Sequence, residues 1–338
     1  MWLFAGITSL SFKYSHCLIK KVIVTKLKQR SQSAGNFIKV SYVLNNERTS
    51  ETLRYKSRPR VCSRTWSTDV REAAENIKKI SIHVAKHLKP VSEYDFGHYL
   101  AGLIDGDGHF STGLQLVIAF NELDASLAYF IKDKIGYGNV YKVKNKKAII
   151  LVISNRIGLL KVLNLINCKI RSENILNQIN NNILFHSYFN SITKFCLNSD
   201  VDLNNYWLAG FSEADGSFQI KLITRNNRTE VRLNFQIDQK KEDLLILIKN
   251  FLGGNIGYIK SQDTYYYGST SFGSAKKVIH YFDRFHLLSS KHINYLKWRK
   301  AYIIIQDKKH LTESGLNKII KLKKTMNSGN AAAAEGRD

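Results

Sequence analysis

The stretch "YLAGLIDGDG", Tyr99 to Gly108, ends an apolar, small-residue run in two carboxylates, and "YWLAGFSEADG", Tyr206 to Gly216, does nearly the same again. One copy alone reads as an apolar helix closing in an Asp-Gly turn, because both residues are turn formers. Two copies read differently. Asp107 and Asp215 are 108 residues apart, about the length of one small domain, so the pair marks an internal repeat.

On a helix, Gly102 and Gly106 are four apart and share a face, and so do Gly210 and Ala214. Stripes of small residues let two backbones approach closely. If the two helices pack through these stripes, their C-terminal ends meet, and Asp107 comes to Asp215. Two carboxylates held close repel, and helix C-termini add negative partial charge, so the arrangement calls for a cation. A hard divalent ion answers that need. Mg2+ prefers oxygen ligands, keeps several waters and can be shared with a substrate phosphate, and Mn2+ or Ca2+ are substitutes of similar ligand taste.

Working outward, each motif is followed by the same succession of patterns. After the first come "LQLVIAF", "DASLAYFIKDKIG", "YGNVYKV", "AIILVIS" and "IGLLKVLNLI"; after the second come "SFQIKLI", "EVRLNFQID", "KEDLLILIKNFLG", "GNIGYIK", "TYYYGSTSF" and "AKKVIHYFDRF". Alternation marks strands and the longer amphipathic runs mark helices, which gives αββαββα twice. The class is therefore α+β with two pseudo-symmetric repeats, residues 93–196 and 206–328, joined by "LNSDVDLNN" at 197–205.

The chain has 51 Lys+Arg against 27 Asp+Glu, a formal charge of +24, which points to a polyanionic partner, nucleic acid before a membrane surface. No run of 18 uncharged apolar residues reads as a membrane span. Cys17, Cys62, Cys168 and Cys196 lie far apart with no metal-ligand spacing, so they are read as reduced, with neither zinc nor a disulfide framework. A composition rich in Ile, Lys, Asn, Tyr and Phe, with two prolines, fits A/T-rich codons and hence an organellar gene, a mitochondrial one being the expectation.

Residues 1–92 hold 18 Lys/Arg and 5 Asp/Glu, a net of +13. They read as a basic extension, a targeting leader or nucleic-acid arm among the readings, poorly ordered to about residue 70 and helical over 68–88. The tail from 329 to 338 reads as disordered.

The paired motifs in this order resemble the LAGLIDADG homing endonucleases in their single-chain, two-repeat form, over roughly residues 93 to 328. The first motif departs from the family name at Gly106, which stands where the name has Ala. The resemblance implies that the motif helices form the interface between repeats and that two antiparallel sheets make a saddle over duplex DNA. It implies metal ligation by Asp107 and Asp215, with the backbone carbonyls of Gly106 and Ala214 beside them, and structural roles for Asp105 and Glu213. The implied reaction is a site-specific, metal-dependent double-strand break with 3′ overhangs in a long, non-palindromic target, made by a monomer. An RNA maturase acting on its intron is the implied alternative.

Further residues are carried over by the same resemblance. "LLSSKHINYL" nominates Lys291 as the lysine beside the scissile phosphates, and "NCKIRSENIL" nominates Arg171, or Lys169, in the first repeat. Gln239 and Lys240 fall where the family keeps a polar residue near the active-site water; Asp124 and Ala125 are the first-repeat counterparts in this reading. For base readout, Arg232, Asn234 and Gln236 alternate with Val231, Leu233 and Phe235, and Gln219 and Lys221 alternate with Phe218 and Ile220. Arg suits guanine and Asn or Gln suits adenine in the major groove. Arg225 and Arg228 flank the intervening turn, Gln115 is the one evident reader of the first repeat, and Lys142 and Lys144 stand on its later hairpin.

Overall fold

A computed structural model of the chain describes residues 79–192, 194–225 and 228–331, the side chains of Arg228 and 327–331 excepted. Residues 1–78 of the basic extension and 332–338 of the tail lie outside the described residues, as does most of the helix expected at 68–88; residues 329–331, expected to be disordered, instead end a helix.

The first repeat runs α1 (Glu93–Asp107), β1 (Gly108–Ser111), β2 (Gln115–Asn121), α2 (Ala125–Ile135), β3 (Asn139–Lys142), β4 (Ala148–Ile153), α3 (Arg156–Ile166) and α4 (Glu173–Ile179). The second runs α5 (Trp207–Asp215), β5 (Gly216–Arg225), β6 (Arg228–Gln239), α6 (Asp243–Leu252), β7 (Asn255–Ile259), β8 (Thr264–Gly268), α7 (Phe272–Phe282), α8 (Lys291–Gln306) and α9 (Glu313–Ala331). The twofold αββαββα order is present, with added helices after each repeat. Each sheet is antiparallel, ordered β1-β2-β4-β3 and β5-β6-β8-β7.

Strand alternation separates two faces. In β2 and β4 the residues Leu116, Ile118, Phe120, Ile149, Leu151 and Ile153 are buried and their neighbours are not, which is the period of a sheet covered by helices on one side. Sheet two buries Leu233, Phe235 and Ile237 against α7 and α8, and Phe218 stacks among Phe235, Phe282 and Trp298 there.

Helices α1 and α5 cross at the centre, and the reason is in the small-residue stripe. A Cβ on Gly102 would lie 1.9 Å from the Trp207 carbonyl, and one on Gly210 would lie 1.9 Å from the Tyr99 carbonyl. No side chain fits either place. Leu100, Leu103, Leu208 and Phe211 are fully buried around this crossing.

Two expectations are corrected. Residues 79–88 are irregular, with a bend at Ile82–His83, and not helical: Ile80 exchanges two hydrogen bonds with the Gln306 amide, Arg299 donates to the Ser81 and His83 carbonyls, and Leu88 N–H donates to His286. Side chains of the second repeat thus take the backbone groups a helix would have used, and Pro90 keeps Lys89 out of helical geometry. Cys168 and Cys196 form a disulfide, with Cα atoms 4.9 Å apart, contrary to the reading of reduced thiols. Their 28-residue separation hid the pairing, which is made when the Cys168 N–H donates to the Cys196 carbonyl and the Asn167 side chain bonds the Cys196 N–H.

The linker is built from its own composition. Asn198, Asp200, Asp202 and Asn205 each accept a hydrogen bond from the backbone N–H two residues on. These successive Asx turns give a connection that a Gly/Ser segment would not.

Candidate active site at the motif-helix seam

Each motif carries two acids, and the fold gives them different environments. Asp105 and Glu213 are buried, while Asp107 and Asp215 reach the open end of the seam. Asp105 accepts from the Trp207 indole at 2.7 Å and from the N–H groups of Arg171 and Ser172. Glu213 accepts from the Tyr99 hydroxyl at 2.9 Å, from the N–H groups of Leu288 and Ser289, and from the Ser289 hydroxyl. The two sets are mirror copies: an aromatic donor crosses from the opposite motif helix, and a loop in the acid's own repeat donates two N–H groups. Burial raises Asp105 to about 7, opposed by these donors, and raises Glu213 likewise. Both acids therefore tie repeat to repeat.

Those aromatic donors went unread in the sequence. Tyr99 and Trp207 each precede Leu-Ala-Gly, six residues before Asp105 and Glu213, and that matched placement was the available signal.

The outer acids behave otherwise. Burial and then repulsion from Asp107 raise Asp215 to about 7, with Lys291 and a hydrogen bond from Gln239 pulling the other way. Gln239 Nε2 stands 2.5 Å from Asp215 Oδ2. Asp107 is open on its outer side and crowded on its inner one; the crowding raises its carboxyl and Lys291 opposes this. Lys291, at the start of α8, turns its ammonium onto the C-terminal carbonyls of α5, at 2.6 Å from the Ala214 oxygen and 3.2 Å from that of Ser212. Burial lowers its pKa, and Glu213, Asp215, Asp107 and Asp124 hold it up. Two mutually repelling carboxylates and a carbonyl cup, which here draws the Lys291 ammonium, are oxygen donors of the kind that hard cations prefer. Among the described residues no cluster of three His, Cys, Asp or Glu placed to hold a metal ion exists.

Gly106 marks where the helices come closest at this end. Its Cβ would stand 2.3 Å from the Ala214 Cβ and 3.2 Å from Asp215 Oδ2. The departure from the family name thus sits against the second carboxylate.

The structure gathers Asp107, Asp215, Gly106, Ala214, Gln239 and Lys291 at one place and sends other nominated residues elsewhere. Arg171 is a correction. Its guanidinium is buried over Trp207 and donates to the Asp200 and Asp202 carbonyls of the linker, while Lys169 donates to Leu165 O. The reason is register. Because Arg171 and Ser172 serve Asp105 as Leu288 and Ser289 serve Glu213, Lys291 matches Asn174, an exposed residue with no charge. Asp124 and Ala125 are likewise displaced. Gly108 pairs with Ile118 as Gly216 pairs with Ile237, so Gln239 matches buried Phe120 and Lys240 matches Asn121. Lys240 itself donates to the Gln262 and Asp263 carbonyls of the β7–β8 connection. Asp124 instead accepts from the Ser290 N–H at 2.7 Å, beside the groove that Asp107, Asn121, Ala214 and Lys291 line.

On the sheets, Gln219, Asn234 and Gln236 share the outer face of β5 and β6 and form one amide network that ends on Asp238. Asn234 is buried under its neighbours, and Lys221 lies exposed across from Arg232. Arg232 pairs with Glu230 at 2.7 Å and Lys142 with Glu122 at 2.6 Å, both exposed pairs that contribute little to stability. Gln115 is half-buried at the start of β2, and Lys144 and Arg225 are exposed. The Arg228 side chain lies outside what is described.

Comparison with known proteins agrees with this architecture. The LAGLIDADG endonuclease family model matches residues 208–302. The chain is 57% identical over 331 residues to an uncharacterized 37.2 kDa protein of cox1 intron 2 in Schizosaccharomyces pombe, covering 94% of this chain and 95% of that one. It is 28% identical over 271 residues to the intron-encoded DNA endonuclease aI3 of Saccharomyces cerevisiae, covering 63% of this chain and 65% of that one. Among solved structures it resembles the LAGLIDADG meganuclease I-CpaMI bound to uncleaved DNA, with TM-score 0.55 at 18% identity over 69% of this chain and 99% of that one. It also resembles I-SmaMI bound to an uncleaved DNA target in the presence of calcium ions, with TM-score 0.52 at 22% identity over 71% and 99%. The chain belongs to the LAGLIDADG family, in the form that carries both repeats on one polypeptide.

Proposed function

We propose that this protein is a homing endonuclease that hydrolyses one phosphodiester in each strand of a long, non-palindromic duplex, and that it acts as a monomer in mitochondria, encoded within an intron. The observation that carries the reading is the intact pair Asp107 and Asp215 at the open end of the seam, with Lys291 and Gln239 directed at it. A domain kept only to bind would gain nothing from two acids that repel each other.

The residues fit a divalent cation, for which Mg2+ is the proposal: the carboxylates of Asp107 and Asp215 and the carbonyls of Gly106 and Ala214 would hold it. When bound, such an ion neutralises phosphate oxygen charge and makes a water acidic enough to attack at neutral pH. The protein's own part is positional. Gln239 fixes one rotamer of Asp215, and the buried acids lock the helix crossing. Lys291 brings positive charge to the groove where a scissile phosphate would lie, and charge held in advance in a partly dry site stabilises a charged transition state more than charge in water does. The sheets and the basic surface hold the duplex, with Arg225 and Lys144 suited to phosphates.

Asp107→Asn and Asp215→Asn should each abolish double-strand cleavage of intronless DNA while retaining binding. Binding is read by electrophoretic mobility and cleavage on a plasmid bearing the insertion site with Mg2+. Undiminished cutting by either variant would remove the site assignment. Stimulation of intron splicing by the double variant, with no cleavage by the unmodified chain, would favour the maturase reading instead.

A further inference from the structure

At their central rungs the two sheets offer different outer faces at matching positions, while Gln115 and Asn234, which also match, are both amides. From the strand registers, Val117 stands where Gln236 stands in the second repeat, Ala119 where Asp238 does, Ile150 where Tyr266 does and Val152 where Gly268 does. In the first sheet Val117 pairs with Val152, and Ala119, Ile150 and Tyr141 form the next rung. None of these five belongs to the core: Ala119 and Tyr141 are exposed and the other three are half-exposed, on the side opposite the helices. His109 and Asn139 close the edges of the first rung, and Lys142 and Lys144 stand exposed on the adjoining hairpin. An apolar strip on a half-solvated sheet, fringed by polar and basic groups, is a surface shaped for something partly apolar and partly anionic.

We propose that the first repeat reads its half of the DNA target through thymine methyl groups packed on Val117, Ile150 and Val152, whereas the second repeat reads by hydrogen bonds from its amide network. This rests on the DNA-binding reading above and specifies the ligand of one half. The thymine C5-methyl is the apolar feature that base pairs present in the major groove, and a β-ribbon fits that groove. The occupant is DNA because the strip continues, at equivalent positions, the face that in the second repeat carries Gln219, Gln236 and Arg232. The first half of the target is accordingly rich in thymine and read loosely; the second half is read stringently.

The test is uracil interference. A duplex is selected from a randomised pool by the full chain in EDTA, its thymines are replaced singly by deoxyuridine, and bound and free fractions are compared. Each contacted methyl removed should weaken binding about fourfold, as expected for one buried CH₂-sized group. The sensitive thymines should fall in one half only, the half whose recognition survives Gln236→Ala. Ile150→Thr should erase sensitivity at one or two of them without lowering the unfolding midpoint, since Ile150 faces away from the core. A specific complex indifferent to uracil, or one equally sensitive in the half that Gln236→Ala weakens, would overturn the inference while leaving DNA binding intact. Failure to enrich any duplex would overturn the DNA-binding reading along with it.

Discussion

At the scale of the residue, the small side chains of the two motifs are not interchangeable. A Cβ at Gly102 would meet backbone, 1.9 Å from the Trp207 carbonyl and 2.8 Å from the Phe211 nitrogen, whereas one at Gly106 would meet a side-chain Cβ, that of Ala214, at 2.3 Å. Backbone in a packed helix pair cannot give way without moving the helix, so Gly102→Ala should cost about 3 kcal/mol or more, at the upper end for overpacking. Gly106→Ala should cost about 1–2 kcal/mol: the Ala214 Cβ is fixed to its backbone and cannot swing aside, but it stands at the open end of the seam, where the helix ends can part more readily than at the central crossing. Its larger effect should fall on cleavage, since the added methyl presses on Asp215. Urea unfolding midpoints with cleavage rates test the order, and equal midpoints for the two variants would contradict it. The same scale separates Asp105 from Asp107. Equal in the sequence, they differ in that Asp105 has the Trp207 indole and two N–H donors within reach and is buried, while Asp107 is left to the seam.

At the scale of the element, the irregular segment 79–92 straps onto the second repeat through histidine. His87 stacks on His286 and both meet His292 at a tilt, with centroids 4.4 to 5.7 Å apart, and His87 Nε2 meets the Leu287 carbonyl at 2.8 Å. Burial first, then the neighbouring His87 and His286, lower His292 to about 4, and burial lowers His286 as well. A histidine whose folded pKa is depressed stays neutral in the fold while the unfolded chain takes up a proton near 6.5, so stability is lost as pH falls from about 6.5 toward 4. His98, lowered to about 4 by burial and by Lys169 and Arg171, has the same sign. Asp105 and Asp215, both raised to about 7, take up protons in the fold and oppose this trend in the total, so the test is a difference: the unfolding free energy of the unmodified chain minus that of His292→Asn should shrink as pH falls from 7.5 to 4.5, and a difference flat with pH would contradict the depression of His292.

This strap also shows where the sequence was legible and where it was not. Motifs and alternating strands were readable because their periods are local, as in "EVRLNFQID", where Leu233, Phe235 and Ile237 are buried in the core, although Asn234 is buried too, under its amide neighbours on the outer face. Residues 79–88 were misread because their helical pattern competes with distant partners, Gln306 and Arg299, more than 200 positions on. Arg171 was misplaced for a related reason: similarity of short segments aligned it with Lys291, while the register is set by which N–H groups reach Asp105 and Glu213. The disulfide was invisible because nothing in spacing alone brings Cys168 to Cys196.

At the scale of the whole molecule, the repeats share a fold and do not share an active-site outfit. One groove has Lys291 with Asn121 and Asp107; at the equivalent positions the other has Asn174 with Lys240 and Asp215, and Lys240 is engaged with the β7–β8 connection. Lysine beside a scissile phosphate stabilises the pentacovalent charge, and loss of one such preplaced charge costs about 10²–10³ in rate. The two strands should therefore be cut unequally. On a supercoiled plasmid bearing the target, nicked circles should accumulate before linear product, with the early nick in a single strand. Lys291→Met should slow that first nick by about 10²-fold and leave the slower strand near its original rate. Asn174→Lys should do the reverse, raising the slow strand without altering the fast one, because Asn174 is exposed and free to accept a longer side chain. Strand-specific end labels separate the four rates. If the unmodified chain cuts both strands together, or if Lys291→Met slows both alike, the charge of Lys291 serves the seam as a whole, and the asymmetry between the repeats is confined to how they bind.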